Sequence, residues 1–465
     1  MGKSCGRWCL ARKSKRDGCG ARPFMPSLFW RRPFTCINAM KPSDSVEAFV
    51  SCPLQVEREL LREISEVRPL LMNPEARFIT EVWETRPVQG GVHVKTSYIA
   101  TLQLNYWLKL AHRVLLRVGN FQALSLPRLR ARLQGIDFRP YWGDRDFRLK
   151  VEAGSCRISN EKLIRRLCGE IWPVADPVPD SVSDSSSRTV LVRGWRDDWT
   201  VSVDTSGAHL HQRGYRKKSG PAPLRETLAA LTWRLLAEDA PVSKLREVQI
   251  LDPMAGSGTL LREAFDLYRP QMERDFLFSD FANCPKLLRG PQQWANHRLD
   301  FSTFQRGAAI DKDVNLAAIL KENLSTTGFF QRIGDFAKVA NRNELGLEEE
   351  RELWIAANPP YGERLAQPAK ESWRREWWPF VERMNPRRLA VWLPEKEVPS
   401  FLRGIPPADR QRQGQEAHSV RQFAISNGGI PCRILLFNRT FPQTSSVGGS
   451  AQVGASGTSA DATGF

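Results

Sequence analysis

Asn358-Pro359-Pro360-Tyr361 sets an amide, two prolines and an aromatic ring in immediate succession. Proline fixes its own φ and holds the preceding residue extended, so the Asn358 side chain and the Pro359 carbonyl become two acceptors on a stiff loop. Two such acceptors can grip both hydrogens of an exocyclic amine on a base. The lone pair of that amine is delocalised into the ring; acceptors on its hydrogens favour a pyramidal nitrogen and stabilise the charge that develops as it attacks an electrophile. Tyr361 adds a face on which the base can stack, worth ~1–3 kcal/mol. The competing structural account is a rigid Pro-Pro turn with a packed tyrosine.

About a hundred residues earlier, Asp252-Pro253-Met254-Ala255-Gly256-Ser257-Gly258-Thr259 begins with a carboxylate and ends where an apolar helical run starts. Gly256 and Gly258 leave no side chain between backbone N–H groups and a ligand. No Gly-Lys-Ser or Gly-Lys-Thr follows, which excludes a P-loop, and the third glycine of a dinucleotide fingerprint is absent. A purely structural turn is the alternative for the Gly-x-Gly taken alone.

Both loops follow β-type runs, residues 248–251 and 353–357. Each is therefore expected at the carboxyl end of a parallel strand, where open α/β sheets keep their ligands. Residues 309–313 end a further short strand ahead of a helical stretch at 315–324, and Gly334-Asp335-Phe336 follows. The interval from Asp252 to Asp311 exceeds one helix and one strand, so residues 271–304 are expected to form an insertion. Residues 389–394 and 427–437 read as the last strands of the sheet. Trp373 and Trp377 share a helical face and are expected in the core, with Trp378 a base-stacking candidate.

The runs 251–261 and 358–365 resemble motifs I and IV of the THUMP-containing guanine-N2 RNA methyltransferases, a group with bacterial 23S rRNA enzymes and tRNA relatives. The resemblance implies S-adenosyl-L-methionine as methyl donor, and direct displacement without a metal or a covalent enzyme intermediate. It implies that Asp252, Gly256 and Gly258, with Pro253 and Thr259 in the same loop, hold the methionine end of the donor. Residues 309–313 resemble motif II, whose acidic residue binds ribose hydroxyls; Asp311 is the choice and Asp313 the competitor. Gly334-Asp335-Phe336 resembles motif III, where the carboxylate binds the adenine amine and the next residue packs on its ring; a surface turn is the alternative. Asn358, Pro359, Pro360 and Tyr361 then form the catalytic loop. Ala255 stands where relatives often have cysteine, and no step above needs a thiol there.

Ahead of these motifs, residues 47–53 are strand-like and 54–64 carry apolar residues at helical spacing. Gly90-Gly91 marks a hairpin turn between 78–83 and 92–94, and 104–116 reads as an amphipathic helix ending at Gly119-Asn120. Strand, helix, hairpin, helix is the rhythm of a ferredoxin-like α+β unit. In the family such a unit merges into the THUMP domain; the stretch 105–121 resembles its characteristic helix, and 148–153, 189–194 and 199–204 resemble its strands.

A net charge of +17 and a pI near 9.7 favour a polyanionic partner over a small neutral metabolite, because each neutralised phosphate releases counterions. The sharpest basic patch is 209–218, where Arg213, Tyr215, Arg216, Lys217 and Lys218 are the RNA-contacting candidates; a solvated linker is the bland alternative. Nine cysteines lack Cys-x-x-Cys spacing and the six histidines suggest no ligand set, so no metal is expected. No apolar stretch reaches membrane-spanning length. Residues 1–43 read as a basic disordered arm, with an organelle transit peptide as the minor alternative, and 443–465 as a flexible Ser/Gly/Ala/Thr tail.

The expected architecture is α/β. A ferredoxin-like plus THUMP α+β module (44–207) and a basic linker (208–228) precede a C-terminal Rossmann-like class I methyltransferase sheet (229–442). The expected activity is S-adenosylmethionine-dependent methylation of a guanine N2 in RNA, 23S rRNA first, by a cytoplasmic protein. A flipped-out target base is required, since in-line attack cannot occur inside a helix. Three rivals remain: a tRNA guanine-N2 enzyme, an adenine-N6 enzyme, and a non-catalytic RNA-binding ribosome-assembly factor on the same scaffold.

Overall fold

A computed structural model describes residues 40–71, 82–175, 187–216, 224–272, 274–289, 303–360, 367–405 and 420–438. The arm before residue 40, the tail from 439 and the expected site residues Tyr361, Lys217 and Lys218 lie outside the described residues.

The first half builds one seven-stranded sheet. Strand β1 (Ser45–Ser51), helix α1 (Glu57–Val67), the hairpin β2 (Glu84–Val88) and β3 (Gly91–Ser97), helix α2 (Tyr98–Trp107) and β4 (Arg113–Gln122) come first in the chain. They pair antiparallel in the order β2-β3-β1-β4, the connectivity of a ferredoxin-like unit. Helices α3 (Leu126–Gln134) and α4 (Arg139–Trp142), strand β5 (Arg148–Gly154), helix α5 (Glu161–Gly169) and the hairpin β6 (Thr189–Trp195) and β7 (Asp198–Asp204) extend it as β4-β7-β6-β5.

Three sequence expectations need correcting here. The helix expected over 104–116, and its longer version over 105–121, is the end of α2 followed by β4. Every residue of α2 is buried, so it shows no polar stripe, and β4 lies inside the sheet where both faces are covered. A continuous apolar run is then ambiguous between helix and strand. The break has a specific cause: the Glu63 carboxylate accepts the backbone N–H groups of Lys109 (2.9 Å) and Leu110 (3.0 Å), drawing them off the helical ladder. Second, the hairpin turns at Gln89-Gly90, with Val88 opposite Gly91, and its first strand is 84–88; of the strand expected at 78–83, residues 78–81 lie outside the described residues. Third, ordered chain begins before residue 44: Met40 is buried and its sulfur accepts from the Tyr141 hydroxyl.

The second half begins with α6 (Glu226–Leu236) and continues with β8 (Gln249–Asp252), α7 (Thr259–Phe265), β9 (Arg306–Asp311), α8 (Ala317–Asn323) and β10 (Phe330–Ile333). Strand β11 (Leu353–Ala357), helix α9 (Gln367–Met384), β12 (Arg388–Pro394), α10 (Val398–Arg403), β13 (Arg421–Asn427) and β14 (Ile430–Asn438) complete it. The order is β10-β9-β8-β11-β12-β14-β13; the first five are mutually parallel and β14 runs against both its neighbours. Alternate residues of β11 divide two cores: Leu353, Ile355 and Ala357 face the one under α9, while Trp354 and Ala356 join a core that runs on into the first half.

The described parts of the expected linker, 208–216 and 224–228, are therefore a packed seam. All eleven residues of α6 are buried, and its Arg234 meets Glu63 (3.6 Å) and Glu66 across the halves. Arg213 pairs with the buried Glu263 of α7 (3.3 Å), and Tyr215 donates to the same carboxylate (2.9 Å). The insertion expected after residue 270 is the second brace. Gln271 N–H donates to the Tyr106 carbonyl (2.7 Å), Phe278 N–H to Thr205 (3.0 Å) and Ala282 N–H to Tyr141 (2.7 Å), while Phe276 packs edge-on against Tyr106. Arg213→Ala would strand the Glu263 charge in the interior, and we expect a loss of about 3–5 kcal/mol in urea unfolding.

Candidate active site

The strand order reverses between β8 and β11. From β8 the chain moves outward through β9 to β10; from β11 it moves the other way through β12. Such a reversal opens a crevice at the carboxyl ends of the two strands. Register places Ile250 beside Trp354, Leu251 beside Ile355, and Asp252 beside Ala309 of β9. Asp252, Asp311 and Asn358 thus end or directly follow three adjacent parallel strands on one edge of the sheet.

Asp252 is 1% exposed, and its Oδ1 accepts the Met254 N–H (3.1 Å). Burial pushes its carboxyl well above the usual range; the Met254 bond opposes the shift and the Asp311 charge adds to it. Asp311 ties the row together, its Oδ2 accepting from Gly256 N–H (2.7 Å) and its Oδ1 from Asp313 N–H (2.9 Å). Asp313, its competitor, accepts from both the backbone and the side chain of Asn315 and caps the turn that follows. Of the two, only Asp311 touches the glycine loop.

The two glycines do different work. Both have positive φ, +56° at Gly256 and +79° at Gly258. A methyl added at Gly256 meets nothing within 4 Å, so its backbone borders open space. At Gly258 the same methyl would lie 2.9 Å from Leu320 of α8 and 3.0 Å from Leu324 just after it; this glycine is required by helix packing, and ligand approach is not its evident role. The loop is held from behind, since Asn323 Nδ2 donates to the Ser257 carbonyl (2.8 Å). The Thr259 hydroxyl bonds Ser257 Oγ (3.1 Å) and receives the Arg216 guanidinium, which also pairs with Glu226 (3.3 Å). Pro253 is buried beside Asp252.

Asn358 follows β11 directly, with Pro359 buried and Pro360 half-buried after it. Its Oδ1 is buried and has no hydrogen-bond donor among the described residues. An amide oxygen removed from water without a partner costs about 1–3 kcal/mol, so the position favours a ligand that brings a donor.

Other expected residues sit differently. Asp335 is exposed and accepts the Ala337 N–H (3.0 Å), capping a short turn. Phe336, expected on a cofactor ring, is largely taken up by α9, with ring centroids 5.0 Å from Phe380 and 6.2 Å from Trp377. Arg213, Tyr215 and Arg216 are withdrawn as RNA contacts: Glu263 holds the first two inside the seam, and Thr259 with Glu226 holds the third. Trp378 is withdrawn as a base platform, being packed on Phe401 at 5.5 Å.

Sequence reasoning missed Asn323 and Glu263, which sit in ordinary-looking helices and act only through what the fold brings to them. It also missed the gathering of His112, His209 and His211, whose rings lie 5.4 to 6.3 Å apart. Burial and nearby arginines push their protonation down to about 4, about 4 and about 3. No group of three or more His, Cys, Asp or Glu suited to a metal ion occurs among the described residues. No described helix is long and apolar enough to cross a membrane.

Sheet order, the glycine loop on β8 and the amide loop on β11 together define a methyltransferase fold. More particularly, residues 213–404 match the family model described as "RMKL-like, methyltransferase domain". The chain is 27% identical over 421 residues to the Ribosomal RNA large subunit methyltransferase K/L of Pseudomonas entomophila (strain L48), covering 85% of this chain and 52% of that protein. It thus spans about half the length of the K/L relatives it matches. Among solved structures, a possible methylase from Clostridium difficile 630 superposes with a TM-score of 0.63 at 19% identity, over 86% of this chain and 99% of that one. SMU.472, solved as a complex with SAH, gives 0.64 at 18% identity over 87% and 100%.

Two outcomes follow from the loop geometry. Gly258→Ala should lower stability by about 1–3 kcal/mol through overpacking against α8, whereas Gly256→Ala carries only the left-handed strain of about 1 kcal/mol; chemical unfolding distinguishes them. Asp252 has a folded pKa above its unfolded value, so its contribution is fully present below the unfolded value and is lost as pH rises through the folded one. Asp252→Asn should therefore melt higher than wild type at pH 8, with the gap closing as pH falls into the acid range.

Proposed function

We propose that this chain is an S-adenosylmethionine-dependent RNA methyltransferase acting on the exocyclic N2 of a guanine in large-subunit (23S) ribosomal RNA. The observation that carries the reading is the buried Oδ1 of Asn358, which has no donor among the described residues, at the end of the strand beside β8. The K/L relatives are named for ribosomal RNA of the large subunit, and a structural neighbour was solved with SAH, the product form of the donor; both accord with the reading.

The residues present fit the donor. Gly256 borders open space where a Cβ would otherwise stand, and the Asp252 and Asp311 carboxylates flank it. Asp252, Pro253, Gly256, Gly258 and Thr259 form or buttress the methionine end of the site, Asp311 takes the ribose, and Asp335 the adenine edge. When bound, the donor supplies an electrophilic methyl.

Asn358 Oδ1 accepts one hydrogen of the guanine amine and the Pro359 carbonyl the other, so the nitrogen lone pair is freed from the ring and aimed. Pro359 and Pro360 keep the two acceptors from relaxing toward each other. Tyr361 offers the stacking face, and the target base leaves its helix to reach it. The first half, 44–207, serves as a ferredoxin-like and THUMP RNA-binding module, and Lys217 and Lys218 remain its basic companions in the linker. A cytoplasmic location suits this substrate.

Asn358→Ala should reduce labelled-methyl transfer to ribosomal RNA by at least ~100-fold while donor affinity by calorimetry stays within a few-fold, because the lost acceptor acts on the amine. Transfer at the wild-type rate would refute the assignment, and label appearing in tRNA alone would move the substrate.

A further inference from the structure

A cavity of about 200 Å³ opens at the seam, away from the strand ends, between the chain after α2, the 213–215 segment and the turn that follows α7. Lys109 lines it. The residue is 3% exposed, and its Nζ has neither a hydrogen bond nor an ion pair among the described residues. Burial, with the Arg213 guanidinium close by, pushes its ammonium down to about 8 against the opposing pull of the Asp266, Glu263 and Glu63 carboxylates, so at neutral pH a largely protonated lysine stands in the interior with no carboxylate in direct ion-pair contact among the described residues. Arg213, Arg262 and Arg269 share the lining. Glu263 pairs directly with the first and Asp266 (2.6 Å) with the second, Arg269 lies over the Phe265 ring, and Lys109 feels the carboxylates only at longer range.

The same wall holds an orphan of the opposite kind. Gln271 Nε2 donates to the Leu108 carbonyl (2.9 Å), which fixes the amide orientation and leaves its buried Oε1 with no donor among the described residues. The cavity thus presents a cation and an acceptor that have no direct side-chain partner among the described residues. A carboxylate or a sulfate answers only the cation. A hydrogen phosphate answers both, because it carries anionic oxygens and one O–H.

We infer that this cavity is a binding site for a protonated phosphate group, held by Lys109 and by the Gln271 side-chain oxygen. The group is supplied either as free hydrogen phosphate or as the terminal monoester of an RNA end. Half-buried Asp266, Arg269 and Pro270 line the same space and are its more exposed walls. Occupancy would lock the seam, since the ligand would bridge residues of both halves. The inference goes beyond the methyl-transfer reading, and its test uses binding alone, so either can fail without the other.

Full-length protein is titrated with inorganic phosphate and with sulfate in phosphate-free buffer, following melting temperature and retention of radiolabelled phosphate in equilibrium dialysis. Expected are saturable phosphate binding, a rise in melting temperature that follows occupancy, and sulfate weaker by at least about tenfold, the worth of one good hydrogen bond. Lys109→Met should melt no lower than wild type without phosphate, because the desolvation of the buried ammonium outweighs its longer-range carboxylate contacts, and its phosphate affinity should fall at least about tenfold. A short RNA with a 5′-phosphate competing where its 5′-hydroxyl twin does not would assign the group to an RNA end; equal inertness of both would assign it to free phosphate. No saturable phosphate binding by the wild-type protein, equal sulfate binding, or an undiminished response in Lys109→Met overturns the site.

Discussion

Strand β8 is four residues long and paired on both sides by parallel neighbours, and the ladder that holds it sets the geometry of everything on that edge. Backbone pairing with β9 and β11 fixes three carboxyl ends in a row about one strand spacing apart, ~4.8 Å each. The turn after β8 is then bound down onto β9, through Ala255 N–H to the Ile310 carbonyl (2.9 Å) and Gly256 N–H to Asp311 (2.7 Å). A slip of this short strand would move the glycine loop off Asp311 and away from Asn358 together. The site depends on main-chain hydrogen bonds before it depends on any side chain.

The two halves are parts of one packed body, joined by an apolar core and two buried cations, Arg213 and Arg234, matched to Glu263 and Glu63. Buried pairs of this kind add little net stability against apolar replacements, but breaking one leaves a charge in the interior. They therefore make departures from one relative placement of the halves expensive. Glu63 has a further duty, since its carboxylate also takes two backbone N–H groups at the end of α2 and so decides where the helix gives way to β4.

Helix α7 links these regions. Its first residue, Thr259, bonds the Ser257 hydroxyl and receives Arg216; its middle carries Glu263, the anchor of the seam; Arg262 and Phe265 line the cavity. Seven residues thus connect the glycine loop, the junction of the halves and a second polar cavity. Movement of α7 would be felt at all three, because close-packed interiors transmit displacement.

Much of this was readable in the linear chain wherever function is local. The loops at 252–259 and 358–361 carry their own backbone instructions, and the short β-runs before them could only be strand ends of an α/β sheet. The βαββα rhythm of the first half could also be read, although the end of α2 and the strand β4 after it could not, because a wholly buried helix running into a central strand offers no polar face to mark the change. Within the basic run, Arg213, Tyr215 and Arg216 misled for a related reason: charge says what a residue can pair with and not where its partner lies. Glu263, fifty positions from Arg213, becomes that partner only when α7 packs into the seam. Lys109 and Gln271 likewise had no meaning in one dimension. Tertiary structure alone decided which charges were matched in the interior and which were left waiting, since burial turns a tolerable surface charge into one that must be answered.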